Sequence, residues 1–514
     1  MKVKNPELLV AIIAIVVMFL WHALYLMGTA FDSDQSVFYY AGWAIAHGAT
    51  PYSGITLFEP PVGYLVIALT SLVSDTNLLL IRLMQDIVFS LTLVVVYLGL
   101  KKLEPVKYSA LLATVLFGIN PFTVEISYNE PIEMSIFLLF LFAGIWVWYS
   151  TKSKYGLISA GVLLGLAVLD WYTGVFVLIG FVSYYLFTQN WKLLKEIMWT
   201  GVGIISVSAL MIAVITLIWH GFHQFWLQTV IYQSSARSSF VIDERIIYLG
   251  NYARIEWFLV ISVIIGLLAG IFLLKNTSKL WRLTWIFAIP FILVIFVPKV
   301  AAGANQYLGI FEPFMWLLAT SGIILLLRDK TKHLHNLKTT VFGIFLIMLI
   351  LSGIGFAYNN YGSVLTPFVN NPYNQIESKV AQQIDNITTI NQKIWTSEGG
   401  IAVLADRQII PPNSTNWPEQ AFYTDVLSGA KDGYGYYHQG LNVLNGTNFM
   451  QAWEQSNTTV LVFISGSRAT ASYPDPQIWA ETSGWILEHY HLVYTDNYIP
   501  SDLGIEYTVW ELNA

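Results

Sequence analysis

The stretch that decides the fold is LLVAIIAIVVMFLWHALYLM, residues 8–27, which is followed at once by GTAFDSD, residues 28–34. An apolar run of about 20 residues is long enough to cross a bilayer as an α-helix. The two carboxylates that come next, Asp32 and Asp34, are therefore predicted to lie at the membrane surface. Ionisable groups close to hydrocarbon cost about 2–3 kcal/mol or more unless they are paired or used, which makes both residues functional candidates.

The composition of the 514-residue chain indicates a polytopic membrane protein. It is 55% hydrophobic and 11% charged, with a mean hydropathy of +0.58, whereas soluble domains carry about 25% charged residues. The chain has no cysteine, which excludes disulfides, cysteine metal sites and thiol catalysis. A net charge of -6 gives no reason to expect nucleic acid as a partner.

Apolar runs along the chain predict a mainly α fold with about eleven transmembrane helices. We expect these helices at residues 7–28, 77–99, 108–126, 131–150, 155–170, 172–188, 196–219, 255–274, 281–298, 307–327 and 338–358. The apolar segment Pro60–Ser74 is shorter than a spanning helix. We therefore interpret it as a helix that lies on the outer membrane surface.

The basic residues predict the orientation of the chain. Most of the 26 lysines and arginines fall in loops that face the cytoplasm if the amino terminus is inside. Counting Pro60–Ser74 as a full span would place Lys101, Lys102 and Lys107 outside and break this pattern. We therefore predict a multi-pass protein of the cell membrane, with a cytoplasmic amino terminus and an extracytoplasmic carboxyl-terminal domain.

A change to polar, turn-rich sequence near residue 358 divides the chain into two predicted domains. Residues 1–358 form a transmembrane domain, whose outer loop 29–76 contains surface helices. Residues 359–514 form a soluble, extracytoplasmic α/β domain. Its strands are predicted at residues 458–465, 491–495 and 506–512, and its helix at residues 476–489.

The carboxyl-terminal domain also contains N-x-S/T sequons, which agree with an outward location and predict a glycoprotein. They begin at Asn386, Asn413, Asn445 and Asn457.

Asp34 is the first candidate for a general base acting on an acceptor hydroxyl, and Asp32 is the second, as an orienting or acceptor-binding group. The alternative is that the pair only caps the helix that is expected to begin near Gln35, since aspartate is a strong helix cap. Against that alternative, the loop that follows is much longer than the connections of about 2–8 residues found in helix bundles.

Other charged residues fall at predicted outer ends of spans. Three interpretations of Arg82 stay open. Its guanidinium group binds a phosphate, or it extends its charge to the membrane surface, or it pairs with Asp86 one helical turn further along the chain. Glu130 and Glu133 lie where a span begins, and Asp170 separates two spans. Each of these three carboxylates either binds acceptor hydroxyls or serves as interface charge and helix cap.

The predicted outer loop 220–254 has a net positive charge, which an anionic ligand would explain. It contains His223, Gln228, Arg237 and Arg245, and its glutamine and aromatic residues are typical of sugar sites. The histidines of this loop lack a third metal ligand, so no metal site is predicted there. A divalent cation, Mg²⁺ or Mn²⁺, stays open at the Asp-x-Asp sequence.

Together these features resemble the membrane glycosyltransferases of the GT-C superfamily. The resemblance covers about residues 1–330 and is strongest in residues 1–190. It rests on Asp32-Ser33-Asp34, Tyr40-Ala41-Gly42, Pro60-Pro61-Val62-Gly63-Tyr64, Arg82, Asn129-Glu130-Pro131 and the span Ala160–Ala167. The Trp-Trp-Asp-Tyr-Gly signature of oligosaccharyltransferases is missing, which disfavours en bloc transfer to protein.

The resemblance implies an inverting transfer of a hexose, such as mannose, from a polyprenyl-phosphate donor such as a dolichyl phosphate to a cell-surface glycan or lipid. Asp34 would be the catalytic base, and the lipid phosphate would be held by Arg82, Arg237 and Arg245. The residues implied in acceptor or sugar binding are Tyr39, Glu59, Glu130, Glu133, Asp170, His223 and Gln228.

Two other classes of protein stay open from the sequence. A transporter or flippase of lipid-linked sugars is one, although such folds usually contain paired halves, and no internal duplication is visible here. A non-catalytic surface-assembly protein is the other, and it would tolerate substitution of Asp34.

Overall fold

The structure, a computed structural model, is mainly helical. It describes residues 6–28, 33–55, 57, 59–103, 106–120, 123, 133–175, 179–180, 182–183, 191–232, 250, 257–272, 312–328, 372–396, 399–409, 459–465, 485–498 and 505–513. The chain divides into two compact units. Unit 1 comprises Met1–Leu26, Gln85–Met211 and Arg237–Leu365, and unit 2 comprises Met27–Met84, Ile212–Ala236 and Thr366–Ala514.

The first half of the chain consists of helices. They are α1 (Pro6–Gly28), α2 (Ser33–Ala46), α3 (Pro61–Ser74), α4 (Leu78–Leu103), α5 (Ser109–Ile119), α6 (Glu133–Ser150), α7 (Lys154–Val168) and α8 (Trp191–Ala213). A 3₁₀ turn at Tyr172–Gly174 follows α7, and α8 continues into a π-helical turn at Val214–Ile218.

The second half is mixed. Its helices are α9 (Phe222–Phe225), which runs into a π-helical segment at Trp226–Tyr232, then α10 (Trp257–Phe272), α11 (Glu312–Arg328), α12 (Pro372–Ile387) and α13 (Gly399–Leu404). Its strands are β1 (Ile394–Thr396), β2 (Val460–Ser465), β3 (Tyr490–Tyr498) and β4 (Ile505–Leu512).

Among the described residues, three helices are long and apolar enough to cross a membrane: Pro6–Ala23, Leu79–Leu103 and Lys192–Ile218. Shorter apolar helices lie at Pro61–Ser74, Ser109–Ile119, Met134–Ser150, Lys154–Val168, Trp257–Leu268 and Glu312–Leu325. The spans expected at 281–298 and 338–358, and most of the span expected at 172–188, lie outside the described residues. The count of eleven spans and the orientation of the termini therefore stay predictions.

The helix expected at Pro60–Ser74 is present as α3. Pro60 precedes it in an extended conformation and Pro61 occupies its first turn, where a missing backbone N–H costs nothing. On one face α3 packs against α2, where the ring of Phe38 stacks on Tyr64 with centroids 4.6 Å apart. Its location relative to a membrane stays a prediction.

In unit 1 the helices approach each other closely at small residues. A Cβ atom added to Gly161 of α7 would overlap the carbonyl oxygen of Thr200 in α8. Small residues of this kind allow apolar helices to gain dispersion contacts where no water is displaced. The contact between α7 and α8 therefore depends on the absence of a side chain at Gly161.

Unit 2 contains a four-stranded sheet in the order β1-β2-β4-β3. Strand β1 pairs with β2 in parallel, with Ile394 opposite Val460, and both other pairings are antiparallel. Val460, Leu461 and Val462 of the inner strand β2 are fully buried. Strands β2, β3 and β4 lie over the segments where the sequence predicts strands, whereas the short β1 was not predicted.

The domain boundary at residue 358 stays a prediction, because residues 329–371 lie outside the described residues. Unit 2 groups the sheet with residues 27–84, which include the predicted outer loop 29–76, and with residues 212–236. Within this unit α2 packs directly against α13. The helix that begins with the candidate base is thus in contact with the carboxyl-terminal region.

Substituting Gly161 by alanine is expected to lower the free energy of unfolding by about 1–3 kcal/mol, because the methyl group overlaps the Thr200 carbonyl. The matched control is Gly201→Ala in α8, where an added Cβ meets nothing within 4 Å. Alanine there is expected to be neutral or to stabilise the helix by up to about 1 kcal/mol. Thermal unfolding in detergent compares the two, and equal effects would contradict the close contact.

Candidate functional site

The candidate base lies at the start of a helix. Helix α2 begins at Ser33, and Asp34 is its second residue, within the first turn. A carboxylate in the first turn is favoured by the partial positive charge of the helix amino terminus. Asp32 lies outside the described residues.

Two tyrosines follow on the same helix and are buried. Tyr39 is 3% exposed and Tyr40 is 5% exposed. The hydroxyl of Tyr40 accepts a hydrogen bond of 2.8 Å from the backbone N–H of Ile409. Burial raises the pKa of both phenols well above the ordinary value, although the charge of Arg82 opposes this for Tyr39. Both side chains are therefore neutral at physiological pH.

Arg82, a candidate for the donor phosphate, is 3% exposed and interacts electrostatically with Glu377 and Tyr39. Glu377 lies on α12 and is 2% exposed, so a buried carboxylate of the carboxyl-terminal region contributes to the electrostatic surroundings of the guanidinium. The sequence analysis missed Glu377. The signal was present, because Glu377 falls among the inward positions of an amphipathic helix, next to Ile376 and one turn before Val380.

Asp86, the alternative partner of Arg82, lies opposite a histidine. Its Oδ1 atom is 4.0 Å from Nδ1 of His22 on α1, and both side chains are fully buried. Intramembrane ionisable residues are rare because of their desolvation cost, and facing pairs reduce that cost. The sequence analysis did not single out His22.

A second carboxylate that the sequence analysis missed is Glu312, the first residue of α11. It is fully buried, and its Oε2 atom accepts hydrogen bonds from Asn120 Nδ2 at 3.1 Å and from Thr123 Oγ1 at 2.5 Å. These contacts tie the end of α5 to the start of α11. Glu133 is the first residue of α6, and Glu130 lies outside the described residues.

Asp170 follows the end of α7 and is fully buried. Its backbone N–H donates to the carbonyl oxygen of Ala167 at 3.3 Å, and the 3₁₀ turn Tyr172–Gly174 comes next. The residue therefore lies in the tight turn that the sequence indicates between two apolar segments.

Gln228 and Glu59, two of the remaining candidates, lie at the chain segment between α2 and α3. Gln228 is 1% exposed and hydrogen-bonds to the backbone of Tyr52 and of Leu57. Glu59 is partly buried, and its carbonyl oxygen accepts from the hydroxyl of Tyr52. His223 lies exposed on α9. Arg237 and Arg245 lie outside the described residues.

Unit 2 thus brings together several of the predicted site residues, although they are far apart in sequence. They are Asp34, Tyr39, Glu59, Arg82, His223 and Gln228. Asp170 and Glu133 belong to unit 1. Within the part of the chain that the structure describes, no three histidine or carboxylate side chains cluster in a way that could hold a metal ion.

The described part of the chain is thus mainly helical, with long apolar helices and acidic residues near helix ends. Residues 58–219 match the family model described as dolichyl-phosphate-mannose-protein mannosyltransferase, which is less than half of the chain. No curated protein sequence matches the chain.

The fold is similar to that of ArnT from Cupriavidus metallidurans. The ArnT structure bound to undecaprenyl phosphate superimposes with a TM-score of 0.58 and 11% identity, over 98% of this chain and 98% of ArnT. The apo structure of ArnT superimposes with a TM-score of 0.57 and 11% identity, over 97% of this chain and 97% of ArnT. The oligosaccharyltransferase from Archaeoglobus fulgidus matches more weakly, at a TM-score of 0.48 and 13% identity over 88% of this chain and 67% of that one.

The predicted resemblance to GT-C glycosyltransferases is confirmed by the family model over one stretch of sequence and by ArnT over the whole fold. At 11% identity the likeness to ArnT establishes the fold and leaves the sugar, the acceptor and the base to be tested.

Removing one member of the Arg82 and Glu377 pair is expected to be costly, because the other charge stays buried. Arg82→Met and Glu377→Leu should each lower the free energy of unfolding by about 3–5 kcal/mol, and the double variant by much less than their sum. The control is Lys379→Met on the same helix, whose ion pair with Asp496 is solvent-exposed and worth less than about 1 kcal/mol. Thermal unfolding in detergent gives the change in unfolding free energy for each of the four variants. If the effects of Arg82→Met and Glu377→Leu simply add in the double variant, the two residues do not interact.

Proposed function

We propose that the protein is an inverting hexosyltransferase, which transfers a sugar such as mannose from a polyprenyl-phosphate donor to a cell-surface glycan or lipid. The observation that carries the proposal is the position of Asp34, in the first turn of the helix that follows the first apolar span. The ArnT-like fold and the mannosyltransferase family model support it. The reaction would take place at the outer face of the cell membrane, where the predicted topology puts α2.

In this reaction Asp34 removes the proton from an acceptor hydroxyl as the hydroxyl oxygen attacks the anomeric carbon of the donor. The bond between that carbon and the phosphate oxygen breaks, and the polyprenyl phosphate leaves with the bonding electrons. Attack on the face opposite the leaving group inverts the configuration. Asp32 would orient the acceptor beside the base.

Negative charge grows on the lipid phosphate as it leaves, so fixed cations lower the barrier. Arg237 and Arg245 are proposed for this role, in a loop of net positive charge. Arg82 is proposed for the same role, and its buried guanidinium also interacts electrostatically with Glu377. A divalent cation, Mg²⁺ or Mn²⁺, at Asp32 and Asp34 would serve the same purpose and remains part of the proposal.

The acceptor or sugar would be bound by carboxylates and aromatic groups, which suit the hydroxyl-rich edges and apolar faces of sugars. The residues proposed are Tyr39, Glu59, Glu130, Glu133, Asp170 and His223. Tyr39 and Asp170 are buried, so direct contact from them requires local rearrangement.

Replacing Asp34 with asparagine removes the base while leaving the size of the side chain unchanged. We expect kcat to fall by about 10²–10⁴-fold, because that is the usual contribution of a general base. The assay follows sugar transfer by purified protein in lipid, from a panel of polyprenyl-phosphate sugars to membrane-extracted acceptors.

The matched control is Asp75→Asn, an exposed aspartate of the same unit just after α3, which should keep full activity. If wild-type turnover survives in Asp34→Asn, the enzyme class stands and Asp34 is not the base. If no donor is turned over but lipid-linked sugar is bound, the protein is better explained as a transporter or flippase. Neither binding nor turnover would favour the surface-assembly protein.

A further inference from the structure

The chain segment between α2 and α3 is described at residues 47–55, 57, 59 and 60, and several of these are attached to residues 219–228 through independent contacts. We name this segment the α2–α3 loop. The hydroxyl of Ser53 donates to the carbonyl oxygen of Trp219 at 2.8 Å. The ring of Tyr52 meets the ring of Phe225 edge-on, with centroids 5.1 Å apart. Both partners lie more than 160 residues away in sequence, and all of these residues belong to unit 2.

Gln228 is the residue that holds the loop at two points. Its Nε2 atom donates to the carbonyl oxygen of Tyr52 at 3.1 Å, and its Oε1 atom accepts from the backbone N–H of Leu57 at 3.0 Å. The side chain is 1% exposed, so water does not compete for these bonds. Only an amide side chain offers a donor and an acceptor at its tip in this arrangement.

Tyr52 continues the connection to Glu59. Its side chain is fully buried, and its hydroxyl donates to the carbonyl oxygen of Glu59 at 3.1 Å. Its backbone φ of 64° is unusual for a residue with a large side chain, and such a conformation persists where the surroundings impose it. Gln228, Tyr52 and Glu59 thus form one hydrogen-bonded series.

We propose that Gln228 is a positioning residue, which holds the α2–α3 loop in place and thereby sets where Glu59 stands for acceptor recognition. This inference rests on the proposed function, in which Glu59 binds the acceptor. It replaces the prediction that Gln228 binds sugar directly, because both ends of its amide are engaged by the loop backbone.

The first test compares two variants that break the series at different points. Gln228→Met keeps the length of the side chain and removes both bonds, and Tyr52→Phe removes only the bond to Glu59. The control is Thr229→Val, which removes a buried bond of 2.7 Å to Phe225 O within the same segment.

For Gln228→Met we expect the KM for the acceptor to rise about tenfold or more, since two buried hydrogen bonds that order the loop are lost. The KM for the lipid donor should change less than about twofold. Tyr52→Phe should raise the KM for the acceptor by a smaller factor. In the double variant the rise in this KM should be smaller than the product of the two single factors, because both changes act through one loop. Thr229→Val should leave both constants as in the wild type.

The second test is hydrogen exchange of the loop amides, which does not depend on turnover. Leu57 should exchange much faster in Gln228→Met and at the wild-type rate in Thr229→Val, because only the first variant loses the acceptor of that N–H. Unchanged exchange at Leu57 would overturn the attachment, whatever happens to activity. Altered substrate binding with unchanged exchange would return Gln228 to a direct sugar contact.

Faster exchange together with wild-type KM values would overturn the positioning role while leaving the attachment in place. If Gln228→Met does not fold, Tyr52→Phe keeps the proposal falsifiable, because a wild-type acceptor KM in that variant would overturn the series through which Gln228 acts on Glu59. If the wild-type protein turns over no donor at all, the proposed function fails, and hydrogen exchange still reports separately whether Gln228 holds the loop.

Discussion

The structure depends on one constraint: in apolar surroundings a charged or polar group is stable only if another group compensates it. The apolar helices satisfy this constraint within their own backbones, and several of their described polar side chains meet a polar group from another segment. Arg82 interacts electrostatically with Glu377, His22 faces Asp86, and Glu312 accepts from Asn120 and Thr123. Because the partners come from distant parts of the chain, each pair also joins segments that sequence separates.

The same constraint accounts for the contacts that α2 makes with the carboxyl-terminal region within unit 2. The helix begins at the candidate base and continues into the buried Tyr39 and Tyr40. Tyr40 accepts from the backbone of Ile409, and α13 packs against α2. The carboxyl-terminal region therefore supports the helix of the candidate base, and it is more than an appended soluble domain.

Much of the local structure follows from the sequence, because it is decided by short-range pattern. The apolar run 8–27 gives α1, Pro60-Pro61 starts α3, and the alternating segment near residue 508 forms β4. The partners of Gln228 and Glu312 could not be predicted from the sequence, because contacts 171 or 192 residues apart leave no periodic signal. The same is true of the partner of Glu377. Glu377 was recognisable only as a charge on the inward face of a helix.

By itself the sequence determined the membrane class, most helix positions, the resemblance to GT-C glycosyltransferases and the place of Asp34 at the start of a helix. Composition and periodicity carry that information, because hydrophobic length and helix ends are local properties. Only the tertiary structure decided which polar groups meet: Glu377 with Arg82, His22 with Asp86, and Gln228 with the α2–α3 loop. The physical reason is that burial makes partnership obligatory, while the choice of partner depends on how the helices pack.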